Sequence, residues 1–556
     1  MKRYFLFLVA LLAFTGLRAQ QVHNARTPYD PATIPVTEEQ RGEILKLQMN
    51  DSKMYPGTAR EVWVYVPRQY DGSKPACLLV CMDGILYDAT TILDNLISTG
   101  EMPVTIGVFI APGVVYDEEG EVVRYNRCKE FDSTDGNLAT FIESEVLPFV
   151  ETQTTLKGYP IRLSKNANDR AITGASSGGI ASFSVAWHRP DLFSRIYTSV
   201  GTFVSMRGGN NYPALVRKTE PKPLRIYMQD GWYDVWNPIF GEWFEYNQLM
   251  ESALNFAGYE LNFKWDRGNH SIRWGTLAFP EAMRWLWRGY PAPVQKGKSR
   301  NGMLADILLD EEDWKEVAPA ELPTSPLYAA EDSSALYASG NTLYRLFADG
   351  TTTPAGTLKN GERLVGKDLI LKGNSLYKQG KKVVDGLQAV EAVQELSDGR
   401  FIVLSRKTQS RGRVVVVNEG CRALAVSPDY RLLVTGEEHS NHLISTILSK
   451  EGKLLYSEPF YYLHDTDNGT KQTPLDMTFD TAGNLYVATP IGIQVADHNG
   501  RVRAILSLPA GRMTSIAFSG HYLYALCGNK LFVRRMNAVG HNPWQEPIKV
   551  KSQGQG

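Results

Sequence analysis

Ala171-Ile172-Thr173-Gly174-Ala175-Ser176-Ser177-Gly178-Gly179-Ile180 is the stretch on which the fold turns. A short apolar lead-in after Asp169-Arg170 runs into Gly-x-Ser-x-Gly, and a helical pattern, Gly178 to His188, follows at once. A serine at a tight turn between strand and helix stands exposed, and its small neighbours let the chain bend and a substrate approach. The Ser177 amide and the helix dipole then favour negative charge developing beside Ser176. Most serines flanked by glycines lie in ordinary loops; the strand before and the helix after set this one apart.

The surrounding chain has an α/β order. Glu61 to Pro67 alternates like a half-buried strand, whereas Cys77 to Met82 and Val104 to Ala111 are continuous apolar runs, as in a sheet covered on both faces. Helical patterns cover Asn137 to Val150, Trp243 to Ala257 and Pro280 to Arg288. After Tyr290 the text turns to Pro, Lys, Gly and Ser, a linker composition.

A serine hydroxyl needs a base, and the base needs an orienting acid. The first half of the chain has three histidines. His23 precedes the fold, and His188 closes the helix that Ser176 opens; this leaves His270, in a polar loop after the strand Glu260 to Trp265. The acid falls in Gln229-Asp230-Gly231-Trp232-Tyr233-Asp234, after the strand Pro223 to Met228. The spacing from Gly231 points to Asp234, with Asp230 as the turn residue capping its own loop. Ile85, with Gly84 the alternative, is the expected second oxyanion donor beside Ser177. Trp232, Tyr233 and Trp236 could stack on a sugar or phenolic ring, as could Trp243; core packing is the competing reading for each.

Beyond Leu327 helical signals fade and a turn-strand phrase recurs: Gly340-Asn341-Thr342-Leu343-Tyr344, Gly373-Asn374-Ser375-Leu376-Tyr377, Gly483-Asn484-Leu485-Tyr486-Val487 and Gly520-His521-Tyr522-Leu523-Tyr524 are examples. About six such units predict a six-bladed β-propeller over a β-sandwich. The expected division is a signal peptide at 1–19, a lead-in at 20–49, an α/β-hydrolase domain at 50–292, a linker at 293–319, the propeller at 320–540 and a tail at 541–556.

Met82-Asp83-Gly84, Asn126-Arg127-Cys128-Lys129-Glu130-Phe131-Asp132, Gly174-Ala175-Ser176-Ser177-Gly178-Gly179, Arg189-Pro190-Asp191-Leu192-Phe193 and Arg284-Trp285-Leu286-Trp287 occur in order. Together they resemble the esterase D and enterochelin-esterase-like group, akin to carbohydrate esterase family one. The resemblance covers about residues 50 to 290 and implies ester hydrolysis through Ser176, Asp234 and His270. The second half is similar to gluconolactonase and regucalcin propellers, in Ala425-Val426-Ser427-Pro428-Asp429 and Asp480-Thr481-Ala482-Gly483-Asn484. It departs from them where Cys421-Arg422-Ala423 replaces Pro-Asn-Gly and Leu475-Asp476-Met477 replaces Asp-Gly-Met. Those positions supply oxygen ligands to a divalent cation in that family, so the departures imply a lost metal site, and neither metal nor cofactor is expected.

Composition narrows the partners. Lys plus Arg number 59 against 60 Asp plus Glu, a net charge of -1, so no basic excess draws the chain to nucleic acid or an anionic membrane. Five scattered cysteines suit buried free thiols. Lys2 and Arg3 before the apolar run Tyr4 to Phe14 read as a secretory signal cut after Ala19, directing the protein to a periplasm or the exterior. The expectation is an exported serine esterase acting on acetyl or feruloyl esters of plant polysaccharide or oligosaccharide. A siderophore or other small-molecule esterase is one alternative, and a propeller lactonase or binding module the other. Oligomeric state is not legible.

Overall fold

Eight strands form one sheet in the first half of the computed structural model, which describes residues 29–319, 321–405, 407–417, 420–465, 474–508 and 513–550. They are β1 (Glu43–Met49), β2 (Arg60–Val66), β3 (Cys77–Met82), β4 (Thr105–Ile110), β5 (Arg170–Ala175), β6 (Arg195–Ser199), β7 (Arg225–Tyr233) and β8 (Glu260–Asn269). Their order is β1-β2-β4-β3-β5-β6-β7-β8. The pairs β1/β2 and β2/β4 are antiparallel and the other five are parallel. The strands β3 and β4 are buried at every position, as strands covered on both faces must be. Residues 20–49, expected to be a lead-in, contribute edge strand β1, whose alternate side chains are exposed.

Four helices frame the sheet: α1 (Ala89–Ser98), α2 (Ser177–His188), α3 (Trp243–Phe256) and α4 (Ile272–Trp287). Ile92, Leu93 and Leu96 of α1 and Phe279, Met283 and Leu286 of α4 join Leu79, Cys81, Tyr197 and Tyr227 of the strands in one core. Each such side chain contributes roughly 1.5–3 kcal/mol by leaving water. α2 is buried from Ser177 to Trp187, with Phe183 and Trp187 against Tyr212. Its predicted counterpart at Pro280 to Arg288 needs correction: α4 begins eight residues earlier and Pro280 lies inside it. Proline resembles a helix start in sequence; here it is a buried residue in the helix interior. The segment expected to be one helix over Asn137 to Val150 is Asn137–Phe141, a wider π turn at Ile142–Val146, and Leu147–Glu151.

A buried ion pair ties down the segment between β4 and β5, through the short helix Arg127–Phe131. Arg60 Nη1 and Nη2 donate to the Glu130 carboxylate at 2.6 and 3.0 Å, and the Gly113 amide and Asn126 side chain donate to it as well. Both partners are fully buried.

The second half is a six-bladed β-propeller. Its sheets are Tyr328–Thr357, Glu362–Val384, Val390–Val417, Cys421–Tyr462, Asp476–Leu506 and Met513–Arg535, the last completed by Lys315–Val317. Pairing of an early strand with the final sheet closes the ring and leaves no open edge there. The linker expected at 293–319 is corrected accordingly: it holds that closing strand and a short helix, Gly302–Ile307, whose Met303, Leu304 and Ile307 pack on the propeller core. The tail expected from 541 likewise begins within structure, because Gly540–His541 pairs with Asp476–Asp480. By compactness the chain divides into residues to Val216 with Pro221–Lys298, and Arg217–Glu220 with residues from Ser299. The signal peptide, with its cut at Ala19, lies outside the described residues.

Candidate active site

Ser176 occupies the turn between β5 and α2 at φ 57° and ψ −120°, backbone angles that side chains rarely adopt. The two motif glycines explain how the turn closes. A Cβ on Gly174 would stand 2.3 Å from the Gly178 carbonyl oxygen, and one on Gly178 would meet Asp83 and Met82 at 2.9 and 3.0 Å. The Ser176 amide donates to the Ser199 carbonyl, and the Ser176 carbonyl accepts from the Thr202 amide, so the strained residue is held from both sides.

Asp234 follows β7 and His270 follows β8, each just past the carboxyl end of a parallel strand, where α/β sheets place their sites. His270 Nε2 lies 2.8 Å from Ser176 Oγ, and His270 Nδ1 lies 2.5 Å from Asp234 Oδ1. Asp234 Oδ1 also accepts from the Val235 amide, and its side chain is fully buried. Its loop is shaped by the Asp234 amide donating to the Gly231 carbonyl. Asp230 caps its own loop, its Oδ1 accepting from the Gly231 amide at 2.6 Å. His188 points elsewhere, to the Thr134 carbonyl, and burial pushes its pKa down to about 4.

The expected oxyanion donors separate. Gly84 is committed, its amide donating to the Ile110 carbonyl at 3.2 Å. The Ile85 and Ser177 amides have no acceptor among the described residues. Ser177 serves twice: its Oγ accepts from Arg127 Nη1 at 2.9 Å, while Arg127 grips the Asp83 carboxylate with Nε and Nη2 at 2.7 and 2.8 Å. That clamp joins the two backbone segments bearing the Ile85 and Ser177 amides. Arg127, one residue from the Asn126 bound to Glu130, was invisible as a site residue in the sequence; its only signal was the Asn126–Asp132 phrase.

Of the aromatic candidates, Trp232, Tyr233 and Trp236 remain 37, 66 and 69% exposed beside the acid loop. Trp243 is buried: its ring meets His270 edge-on at 5.7 Å and its Nε1 donates to Thr202 Oγ1, which lies 3.3 Å from Ser176 Oγ. It packs against His270 instead of offering a face to a ligand. Cys128 is exposed, against the expectation of buried thiols, while the other four cysteines are buried.

The propeller carries a cavity of about 210 Å³ lined in part by Lys367, Glu391, Arg422, Asp476, His541 and Trp544. Its donor set does not suit a divalent cation. Asp476 Oδ2 accepts from Ser515 Oγ and the Ile516 amide, and Oδ1 accepts from the Met477 amide, so its oxygens face protons. Arg422 places a cation on the same wall and bonds Glu438.

Residues 53–295 match the model of the family described as "Putative esterase". Among solved structures, a ferulic acid esterase is 16% identical, with 45% of this chain and 99% of that one covered at a TM-score of 0.35. The enterobactin esterase of Shigella flexneri is 19% identical over 48% of this chain and 64% of its own, at 0.35. A structure described as a "putative gluconolactonase" is 13% identical over 43% of this chain and 98% of its own, at 0.36. No protein with a curated description matches the chain. The match to the esterase family model and the α/β-hydrolase sheet coincide in the segment from residue 53 to residue 295, which is the part of the chain that is similar to carboxylic ester hydrolases.

Proposed function

We propose that the protein is an exported serine esterase that removes acetyl or feruloyl groups from plant polysaccharide or its oligosaccharides through Ser176, His270 and Asp234. The observation that carries the reading is the unbroken relay from Asp234 through His270 to Ser176 at 2.5 and 2.8 Å. Ser176 Oγ attacks the ester carbonyl as His270 Nε2 takes its proton, and the Asp234 carboxylate holds Nδ1–H and stabilises the imidazolium. The Ile85 and Ser177 amides receive the oxyanion, and Arg127 keeps their two segments in register. His270 then protonates the departing alcohol, and water hydrolyses the acyl-enzyme by the same route in reverse.

The exposed Trp232, Tyr233 and Trp236 support an aromatic or sugar-bearing substrate, because such rings bury large area at low entropic cost. Export rests on the N-terminal charge and apolar pattern alone. Purified protein assayed on acetylated xylan, methyl ferulate, a catecholate siderophore and p-nitrophenyl acetate tests the reading. Preference for xylan or ferulate is expected, with a KM for ferulate that rises severalfold in Trp236→Ala while p-nitrophenyl acetate turnover is unchanged. Preference for the siderophore overturns the substrate class.

A further inference from the structure

Two carboxyls sit together behind the base, and their hydrogen-bond accounts do not close with both ionised. Asp234 Oδ1 is spent on His270 Nδ1 and the Val235 amide, and Asp230 Oδ1 on the Gly231 amide. The remaining oxygens, Asp230 Oδ2 and Asp234 Oδ2, are buried, and neither has a donor among the described residues. The two side chains lie within hydrogen-bonding reach of each other. A pair of buried acceptors with no donor is left desolvated and unpaired, and two adjacent anions repel as well; one proton between them removes both penalties.

We propose that Asp230 is a neutral carboxylic acid at neutral pH and donates its Oδ2 proton to Asp234 Oδ2, making it a positioning residue for the acid of the relay. The assignment of the proton to Asp230 follows from the neighbours. Asp234 Oδ1 already accepts from two donors, whereas Asp230 meets one amide and faces the carboxylates of Asp234 and Asp266. Burial pushes the Asp230 carboxyl well above the usual range, and the contact with Asp234 pushes it further. The charged groups around the pair are Asp266 on β8, His270 after it and Glu242 at the entrance to α3. The pair thus carries one negative charge, and the shared proton pins the rotamer in which Asp234 Oδ1 meets His270. The inference rests on the proposed relay.

Asp230→Asn supplies an amide donor of the same shape and no charge. Its kcat/KM is expected within about threefold of wild type, with the acid limb of the pH profile unmoved. Asp230→Ala, which leaves Asp234 Oδ2 without a donor, is expected to lose about tenfold or more in kcat at little cost in KM. An acid limb displaced downward by a pH unit in Asp230→Asn would mean that an anion had been removed, and would overturn the proposal. Full activity in a folded Asp230→Ala enzyme would do the same. A readout independent of turnover is the infrared difference between Ser176→Ala and Ser176→Ala/Asp230→Asn at neutral pH, which should show the loss of one protonated-carboxyl band. Absence of that band defeats the shared proton, whereas residual esterase activity in Ser176→Ala defeats the relay.

Discussion

Ser176 is held in a left-handed conformation that costs of order 1–3 kcal/mol, and the surrounding bonds to Ser199 and Thr202 offset it. Removal of its hydroxyl leaves that backbone intact, so Ser176→Ala should fold normally and lose on the order of 10⁴ to 10⁶ in kcat, read with p-nitrophenyl acetate. Asp234→Asn should lose about 10⁴, because an amide facing Nδ1 favours the tautomer that cannot accept the serine proton. Asp230→Asn should be far milder; a larger loss there than at Asp234, with both proteins folded, reverses the two roles.

The element that places Arg127 is a single helical turn, Arg127–Phe131, and so short a turn keeps its place only when its polar groups are paired. Glu130 does this from within the core, accepting from Arg60, Gly113 and Asn126. Glu130→Ala leaves a buried guanidinium without its counter-ion, and denaturant unfolding of the hydrolase should show a loss of about 3–5 kcal/mol. Among the propeller strands the equivalent buried charge is Asp476, whose carboxyl is pushed up to about 6 by burial, against the hydrogen bonds from Ser515, Ile516 and Met477. A folded pKa above the unfolded value means that the folded state gains protons first, so stability is greatest below about pH 4 and declines as pH rises through about 6. Between pH 7 and pH 4 wild-type thermal stability should therefore improve relative to Asp476→Asn by about 2–3 kcal/mol at the propeller transition, followed by calorimetry.

At the scale of the whole molecule, an esterase domain and a propeller share one chain, and their chemistries should be separable. The esterase relay uses no metal, so chelation should leave ester hydrolysis unchanged. In the propeller, Arg422 and a hydrogen-bonded Asp476 line the cavity. Full-length Ser176→Ala, with the esterase silenced, should show no gluconolactone turnover and no stoichiometric calcium or zinc by elemental analysis; both together would restore the lactonase reading.

Six of the eight hydrolase strands and the elbow serine were legible in the sequence because they are local: an apolar run and a glycine-flanked turn each carry their signal within a few residues, and the candidate base followed from having few histidines to choose among. The turn-strand phrase announced six blades for the same reason, since each is a short repeat. What lies across the fold was not legible. The closing strand Lys315–Val317 reads as linker until Leu531–Val533 is beside it. Pro280 reads as a helix start until the core face of α4 is seen to run past it. Trp243 reads like Trp236 until burial separates the ring that supports His270 from the one that faces solvent. Arg127 and Glu130 are two charges in a phrase until Asp83, Ser177 and Arg60 supply their partners from 44, 50 and 70 residues away. Sequence alone determined which local conformations and chemical groups were available; tertiary structure decided which were buried and paired, because desolvation and hydrogen bonding depend on neighbours that the chain brings together only when it folds.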